Sequence, residues 1–307
     1  MKKPLVSIII PTYNRAHLIG ETLDSVLAQT YPNWECIVID DGSNDNTDAI
    51  LASYIKKDSR FQYHQRPSDL IKGASACRNI GFEKSQGDYV QYLDSDDLIS
   101  DNKIYEQIVL LTESPDYSIS TCKWGRFSEI NEDNLVFENL ESYATFDSVY
   151  SFLTALANSK GYFPIHSYLI KRKLIEKTGV WNDYLSLNDD GEFMMRLIVN
   201  VEKVFFSSEA CVYYRFGDGF NVSSFYQEQQ TVDLIDSFRM IECLFKIRFK
   251  VKSVYYIERA KVDLYLNVMN NYPHLAYENN DFFANQLKSR PLMVKIKSKL
   301  RRYLNGK

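Results

Sequence analysis

Residues 6 to 10 read Val-Ser-Ile-Ile-Ile, and this run constrains the chain more than any other. β-Branched side chains at successive positions suit a strand covered on both faces, which means a strand of a parallel sheet with helices above and below it. The run stops at Pro11. After the polar turn Asn14-Arg15, Leu18, Ile19, Leu23, Val26 and Leu27 recur at helical spacing as far as Thr30-Tyr31-Pro32. The same logic gives a strand over Trp34–Asp40, then a helix over Ala49–Ile55 capped by Asn46 or Thr47. A short strand over Phe61–His64, a helix over Gly73–Ser85 and a buried strand over Tyr89–Leu93 follow. Strands alternating with helices require right-handed crossovers. Residues 1–100 are therefore expected to form an α/β, nucleotide-binding half whose ligand lies beyond the carboxyl ends of the strands.

The acids lie at those ends. Asp40 and Asp41 close the second strand, and Asp94, Ser95, Asp96 and Asp97 close the one at Tyr89–Leu93. Aspartate favours turns, so a single one, such as Asp97, needs no further reason. Three carboxylates in four residues at a ligand edge repel one another unless a cation sits among them. The group is read as an oxygen-ligand site for Mg²⁺ or Mn²⁺, an ion that keeps substrate phosphates as further ligands.

The middle of the chain is α+β in character. A strand is expected over Ile165–Ile170, a short helix over Lys173–Lys177, and strands over Val204–Phe206 and Cys211–Phe216, before a Gly217-Asp218-Gly219 loop. In Asn188-Asp189-Asp190-Gly191-Glu192-Phe193, followed by Met194 to Leu197, the acids occupy a first helical turn and Phe193, Leu197 and Ile198 line one face. Read alone, Asp189 and Asp190 cap a helix and complement its dipole. From Tyr226 the pattern is helical. The chain is divided at residues 1–224, with halves 1–100 and 101–224, and a helical region 225–307.

Several chemistries are excluded. The turn after the first strand, Pro11-Thr12-Tyr13-Asn14, has no glycine, so neither a dinucleotide fingerprint nor a P-loop is present. Gly73-Ala74-Ser75-Ala76-Cys77 lacks the last glycine and the preceding strand of a nucleophile elbow. Four separated histidines give no zinc spacing. Five scattered cysteines without a CxxC pair point to reduced thiols in a cytosolic protein. No run reaches membrane-spanning length, and the N-terminus lacks a signal-peptide core, so a cytoplasmic location is expected. A formal charge of −4 argues against nucleic acid as a partner.

Three segments read together resemble the family 2 glycosyltransferases with the GT-A fold. They are Ser7 to Arg15, Ile39-Asp40-Asp41-Gly42-Ser43, and Ala76-Cys77-Arg78-Asn79-Ile80-Gly81 leading through Gly87-Asp88-Tyr89 to Tyr92-Leu93-Asp94-Ser95-Asp96-Asp97. Asp189-Asp190-Gly191-Glu192-Phe193 with Arg196-Leu197 is similar to that family's acidic segment. The likeness spans residues 4 to about 220. It implies a mostly parallel sheet flanked by helices, and an inverting enzyme that moves a sugar from a nucleoside-diphosphate sugar to a glycan or lipid-linked glycan acceptor, in surface polysaccharide biosynthesis at the inner face of a membrane. It implies that Pro11, Thr12, Tyr13 and Asp41 contact the nucleoside, with Arg78 a positive charge beside it. Asp94 and Asp96 would be the DxD element, Asp96 on the Mn²⁺ or Mg²⁺ ion and Asp94 on ribose or ion, and Asp190 the general base. Asp189 stands where the family usually has Glu. Arg215 resembles an arginine that helps close a loop over the diphosphate, although the histidine that often follows it is absent. Trp181, with Asn182, is expected near the acceptor, where its ring either stacks on a sugar or packs in the core. The alternatives are a catalytically inert GT-A nucleotide- or glycan-binding module and a sugar nucleotidyltransferase. The latter wants a Gly-rich basic loop that Pro11-Thr12-Tyr13 does not supply.

The charge is uneven. Eight of the 36 basic residues and none of the 40 acidic ones fall in 286–307. There Leu292, Met293, Ile296, Leu300, Tyr303 and Leu304 share one helical face. Two readings stand: a peripheral helix on anionic membrane, or a helix packed on the body.

Overall fold

Strand β1 (Val6–Thr12) is buried at every position, as a two-sided run must be. Along the chain follow α1 (Ile19–Leu27), β2 (Trp34–Asp40), α2 (Thr47–Lys57), β3 (Phe61–Gln65), α3 (Ala74–Lys84) and β4 (Tyr89–Tyr92). β1 pairs in parallel with β2 on one side and β4 on the other, and β3 extends β2 in parallel. The strand runs past the expected stop at Pro11. Its register with β4 ends at Ile9 opposite Tyr92, whereas its pairing with β2 continues to Thr12 opposite Asp40. Pro11 thus has a sheet neighbour on one side only, a setting in which a strand tolerates the missing N–H. The early end of β4 leaves a notch beside the end of β1, where the spatial order β3-β2-β1 reverses to β4. This is the switch point at which open α/β sheets take their ligands.

The structure is a computed structural model that describes residues 3–128, 135–137, 139–159, 162–216 and 227–289. Beyond β4 come β5 (Leu98–Ile99), α4 (Lys103–Leu111), β6 (Ser118–Phe127), β7 (Val136–Phe137), α5 (Val149–Ser159), β8 (Leu169–Lys171), α6 (Arg172–Thr178), α7 (Asp189–Ile198) and β9 (Lys203–Arg215). One mixed sheet runs β3-β2-β1-β4-β8-β6-β9-β5, with β7 on β6. It is parallel over the first four strands in space, and β9 is parallel to β6. The fold is α/β, with helices around a curled sheet.

Two expectations are corrected. Ile165–Ser167 is a 3-10 turn and only Leu169–Lys171 is strand, because Pro164 precedes the turn and Ser167 N–H bonds back to Pro164 O at 2.9 Å. The two strands expected over 204–206 and 211–216 are one strand with an irregularity. Adjacent Cys122 and Lys123 of β6 face Ser207 and Cys211, so Ser208–Ala210 bulge out of the ladder.

Cys77 and Ile80 of α3 pack on Ile37 and Ile39 of β2. Gly87 lies so close to β1 that a Cβ there would come within 2.5 Å of Ser7 Oγ and 2.6 Å of Ser7 N, a space only glycine leaves open.

By Cα packing the chain divides into Met1–Phe225 and Tyr226–Lys307. The second unit holds α8 (Glu228–Phe249), α9 (Tyr255–Asn271), α10 (Pro273–Glu278) and α11 (Ala284–Lys288). Its own core includes Ile235, Leu264, Tyr265, Val268, Phe282 and Phe283. Nearby, the buried Lys261 ammonium meets Glu242 at 2.9 Å. Among the described residues no helix is long and apolar enough to cross a membrane. The amphipathic stripe expected over 292–304, the Gly217–Gly219 loop and the boundary near Ser224 lie outside the described residues.

Candidate active site

One side of the notch is built by the ends of β1 and β2. Asp40 is a turn former: its Oδ1 accepts the Gly42 N–H at 3.1 Å, the Ser43 N–H at 2.8 Å and the Ser43 hydroxyl at 2.7 Å, and its Oδ2 accepts the Tyr63 hydroxyl at 2.8 Å. That turn carries Asp41, whose N–H donates to Thr12 O at 2.9 Å and whose carboxylate takes the Arg66 Nε–H. Arg66 in turn donates to the carbonyls of Pro67 and Leu70. Asn14, in the left-handed region with φ of 51°, accepts from Asn44 and donates its N–H to Ser43 Oγ, locking the two loops together. Pro11 and Thr12 are buried, so of that segment Tyr13 is the side chain presented to solvent, with Lys72 Nζ 3.8 Å from its ring centre.

The acidic turn after β4 does not gather its three carboxylates in one place. Asp94 accepts Arg78 Nη2 at 2.7 Å and Asp96 meets Arg15 Nε at 3.3 Å, and both side chains stay partly open, 31% and 21% exposed. Asp97 turns inward and is buried. Its Oδ1 accepts the Arg215 N–H at 2.7 Å, and its Oδ2 lies 3.1 Å from Nδ1 of the buried His166. Burial, with the charges of Asp96 and Asp94, pushes the Asp97 carboxyl well above its ordinary value, and burial pushes the His166 imidazole down to about 3. Asp97 is therefore a structural acid. Asp94 and Asp96 fit a hard cation that brings phosphate oxygens with it, because Mg²⁺ is commonly held by one or two carboxylates plus substrate. Among the described residues no three His, Cys, Asp or Glu side chains form a complete cage.

Across the notch, Asn188 in the left-handed region (φ 56°) starts α7 and places Asp189, Asp190 and Glu192 in its first turn. Asp189 Oδ2 takes the Ser75 hydroxyl and Arg78 Nη1, the latter at 3.3 Å. Asp190 is exposed at the start of α7, where its Oδ1 accepts the Gly191 N–H at 2.8 Å. Loss of water and the charge of Asp189 push its carboxyl up to about 6, against the pull of Arg78. Glu192 pairs with Arg196 at 2.8 Å, and Arg196 bonds the carbonyls of Thr178, Gly179 and Val180, fastening α7 to the end of α6. Arg78 is the joint of the site. Its buried guanidinium lies 4.3 Å from the Trp181 ring centre and bonds one acid from each side, Asp94 and Asp189.

Two of the expected residues are held by protein neighbours, Trp181 in the way its core-packing reading expects. Trp181 is 3% exposed; Phe193 stacks on its ring at 4.2 Å, Tyr92 meets it edge-on, and Asn79 bonds both its N–H and its C=O. It supports Arg78 from the core and has no ring face left for a sugar. Arg215 sits at the end of β9, buried, donating through Nε to Asp96 O at 2.8 Å and through Nη2 to Glu21. In this arrangement it braces the acidic turn. Ser75, Arg15, Arg66 and Glu21 were not anticipated, because each acts through a partner distant in sequence. The one available signal was that Arg15 directly follows the Pro11–Asn14 turn.

The family model for glycosyl transferase family 2 matches residues 7–177. An uncharacterized glycosyltransferase from Haemophilus influenzae is 31% identical over 263 residues, covering 83% of this chain and 94% of that protein. WfgD from Escherichia coli, described as UDP-Glc:alpha-D-GlcNAc-diphosphoundecaprenol beta-1,3-glucosyltransferase, is 38% identical over 132 residues, 43% of this chain and 49% of WfgD. The crystal structure of S. aureus TarS in complex with UDP-GlcNAc superposes with a TM-score of 0.65 at 20% identity, over 87% of this chain and 73% of that one. A sheet whose strand ends carry paired acids had already limited the choices, and with these likenesses the chain belongs to the family 2 glycosyltransferases, built on a GT-A fold.

Proposed function

We propose that the protein is an inverting, metal-dependent transferase that moves a sugar from a uridine-diphosphate sugar to a hydroxyl of a lipid-linked glycan during surface polysaccharide assembly. The observation that carries the reading is Arg78: one buried guanidinium holds Asp94, on the donor side, and Asp189, next to Asp190, on the acceptor side. In this reading donor chemistry and a base meet at one notch. Asp41, a carboxylate acceptor paired with Arg66 at the end of β2, suits the N–H of an imide edge, in which an N–H is flanked by carbonyls. Uracil has that edge, and the UDP-GlcNAc complex of TarS and the UDP-Glc in the description of WfgD support the same base.

Asp94 and Asp96 would hold Mg²⁺ or Mn²⁺, which when bound neutralises charge on the departing diphosphate. Tyr13 offers an exposed ring to the base, and Arg15 keeps a positive charge at Asp96. Asp190 accepts the proton of the acceptor hydroxyl while its oxygen attacks the anomeric carbon. The bond from that carbon to the diphosphate oxygen breaks and its electron pair leaves with the diphosphate. One displacement from the opposite face inverts the configuration. A carboxylate raised to about 6 is suited to this work, being ionised at neutral pH yet more basic than an ordinary aspartate. Support for a lipid-linked acceptor comes from the diphosphoundecaprenol acceptor in the description of WfgD, and such an acceptor would bring the enzyme to the inner face of a membrane.

The test is release of nucleoside diphosphate from a panel of UDP-, GDP- and dTDP-sugars with Mn²⁺ and a lipid-linked glycan, with the product anomer read by NMR. Release from a UDP-sugar with an inverted anomeric centre supports the proposal. No release from any sugar nucleotide would leave the inert binding module as the better reading, and retention of configuration would overturn the single displacement.

A further inference from the structure

The turn joining α8 to α9 has a composition that transfer chemistry does not require. Between Glu242 and Glu258 lie fifteen residues with four basic side chains, Lys246, Arg248, Lys250 and Lys252, and no acid. From Lys246 to Lys252 the cations alternate with Ile247, Phe249 and Val251. The turn is well built from inside. Buried Phe245 packs against Phe249 and Tyr256 at 6.0 Å each, Val254 and Ile257 are buried, and Lys250 adopts the left-handed conformation that ends α8. The outside is a different surface: Ile247, Val251 and Tyr255 are 72%, 39% and 51% exposed. The flanking acids are engaged, Glu242 with Lys261 and Lys246 at 2.9 and 3.1 Å and Glu258 with the Ser253 hydroxyl at 2.8 Å.

Single exposed apolar side chains are ordinary. Three within nine residues, interleaved in sequence with four cations of which Lys246 is held by Glu242, give the turn, pinned from beneath, a two-part character. Its apolar bodies suit an acyl boundary, its cations suit anionic headgroups, and a tyrosine is at home where the two meet. A nucleic acid would satisfy the cations but would gain little from Ile247 and Val251. We propose that the α8–α9 turn docks the protein on an anionic lipid bilayer, with Ile247, Val251 and Tyr255 entering the interface. The inference is independent of the transfer reading, so neither falls with the other.

Full-length protein is sedimented with phosphatidylcholine vesicles with and without phosphatidylglycerol. Binding is expected only with phosphatidylglycerol and should weaken as salt rises. Ile247→Asp with Val251→Asp should lower partitioning about tenfold or more, and Lys250→Asn with Lys252→Gln about fivefold per charge, with donor turnover unchanged in both. In a separate Tyr255→Trp chain, emission from the indole introduced there should shift to the blue on adding the anionic vesicles. The proposal is overturned if the wild type does not sediment, if Ile247→Asp with Val251→Asp binds as the wild type does (the outcome if the basic segment 286–307 alone made the contact), or if the emission of the Tyr255→Trp chain stays fixed. Should the double aspartate variant lose its helical circular dichroism, the fluorescence result decides by itself.

Discussion

Replacing Asp190 by Asn separates catalysis from stability, because the structure assigns the two opposite signs. The carboxyl is pushed up to about 6, so about nine-tenths of it is ionised at pH 7 and about one-tenth at pH 5. If Asp190 takes the acceptor proton, kcat/KM should rise about tenfold between pH 5 and pH 7 and level off above that. Asp190→Asn should lower transfer by about 100- to 10,000-fold, the range for removal of a general base, while donor affinity by calorimetry stays near that of the wild type. Stability should move the other way. A carboxyl that titrates higher in the fold than its ordinary value of 3.8 binds its proton more tightly when folded. Its ionised form thus opposes folding, not at all below 3.8, increasingly up to about 6, and constantly beyond. At pH 7.5 the Asn variant loses that opposition, and its Tm should hold or rise. Stopped assays across pH 5–8 beside thermal melts make the measurement. A flat pH profile, an Asn variant with more than about a tenth of wild-type activity, or a Tm lower by more than about 4 °C would refute the reasoning.

Other consequences follow from the same contacts. Arg78→Lys keeps a charge but cannot span Asp94 and Asp189 as a planar fork does, so activity should fall at least about tenfold and denaturant unfolding should show a loss of about 2 kcal/mol. Trp181→Ala removes the ring beneath Arg78; urea titration should show about 3–5 kcal/mol lost, and a change near zero would mean that the ring is not packed. Gly87→Ala forces a methyl group against Ser7 and should cost about 1–3 kcal/mol by thermal melt. Chelation by EDTA, or Asp96→Asn, should abolish diphosphate release, with Mn²⁺ restoring activity only after chelation.

Legibility in the sequence followed locality. β2 lies where its apolar run predicts, and β1, β3, β4 and α3 come within a residue or two, since two-sided burial and helical spacing are properties of short segments. β6 was not anticipated, because Ser118-Ile-Ser-Thr-Cys-Lys reads as polar although most of it is buried between β8 and β9. The acids at the strand ends were visible as types, and the family likeness already set Asp94 and Asp96 apart from Asp97, but the contacts that hold that division were not visible. Which of Asp94, Asp96 and Asp97 faces the ligand depends on His166, Arg15 and Arg215, and no spacing rule relates those residues to the turn. Trp181 beside the acidic segment left two readings open, a sugar platform or core packing, and its contacts with Phe193 and Tyr92 favour the second.

The bracing role of Arg215 bears on the order in which the molecule is made. Its bond to Glu21 closes a loop of 194 residues, and its bond to Asp97 one of 118. Loop closure of that span carries its entropic cost before any contact rewards it, so contacts of this kind come late in folding. A nascent chain with β1 to β4 already outside the ribosome holds the loops after β1 and β2 but lacks the strand that fastens the acidic turn. The turn carrying Asp94 to Asp97 therefore reaches its final geometry only when β9 is added to the sheet.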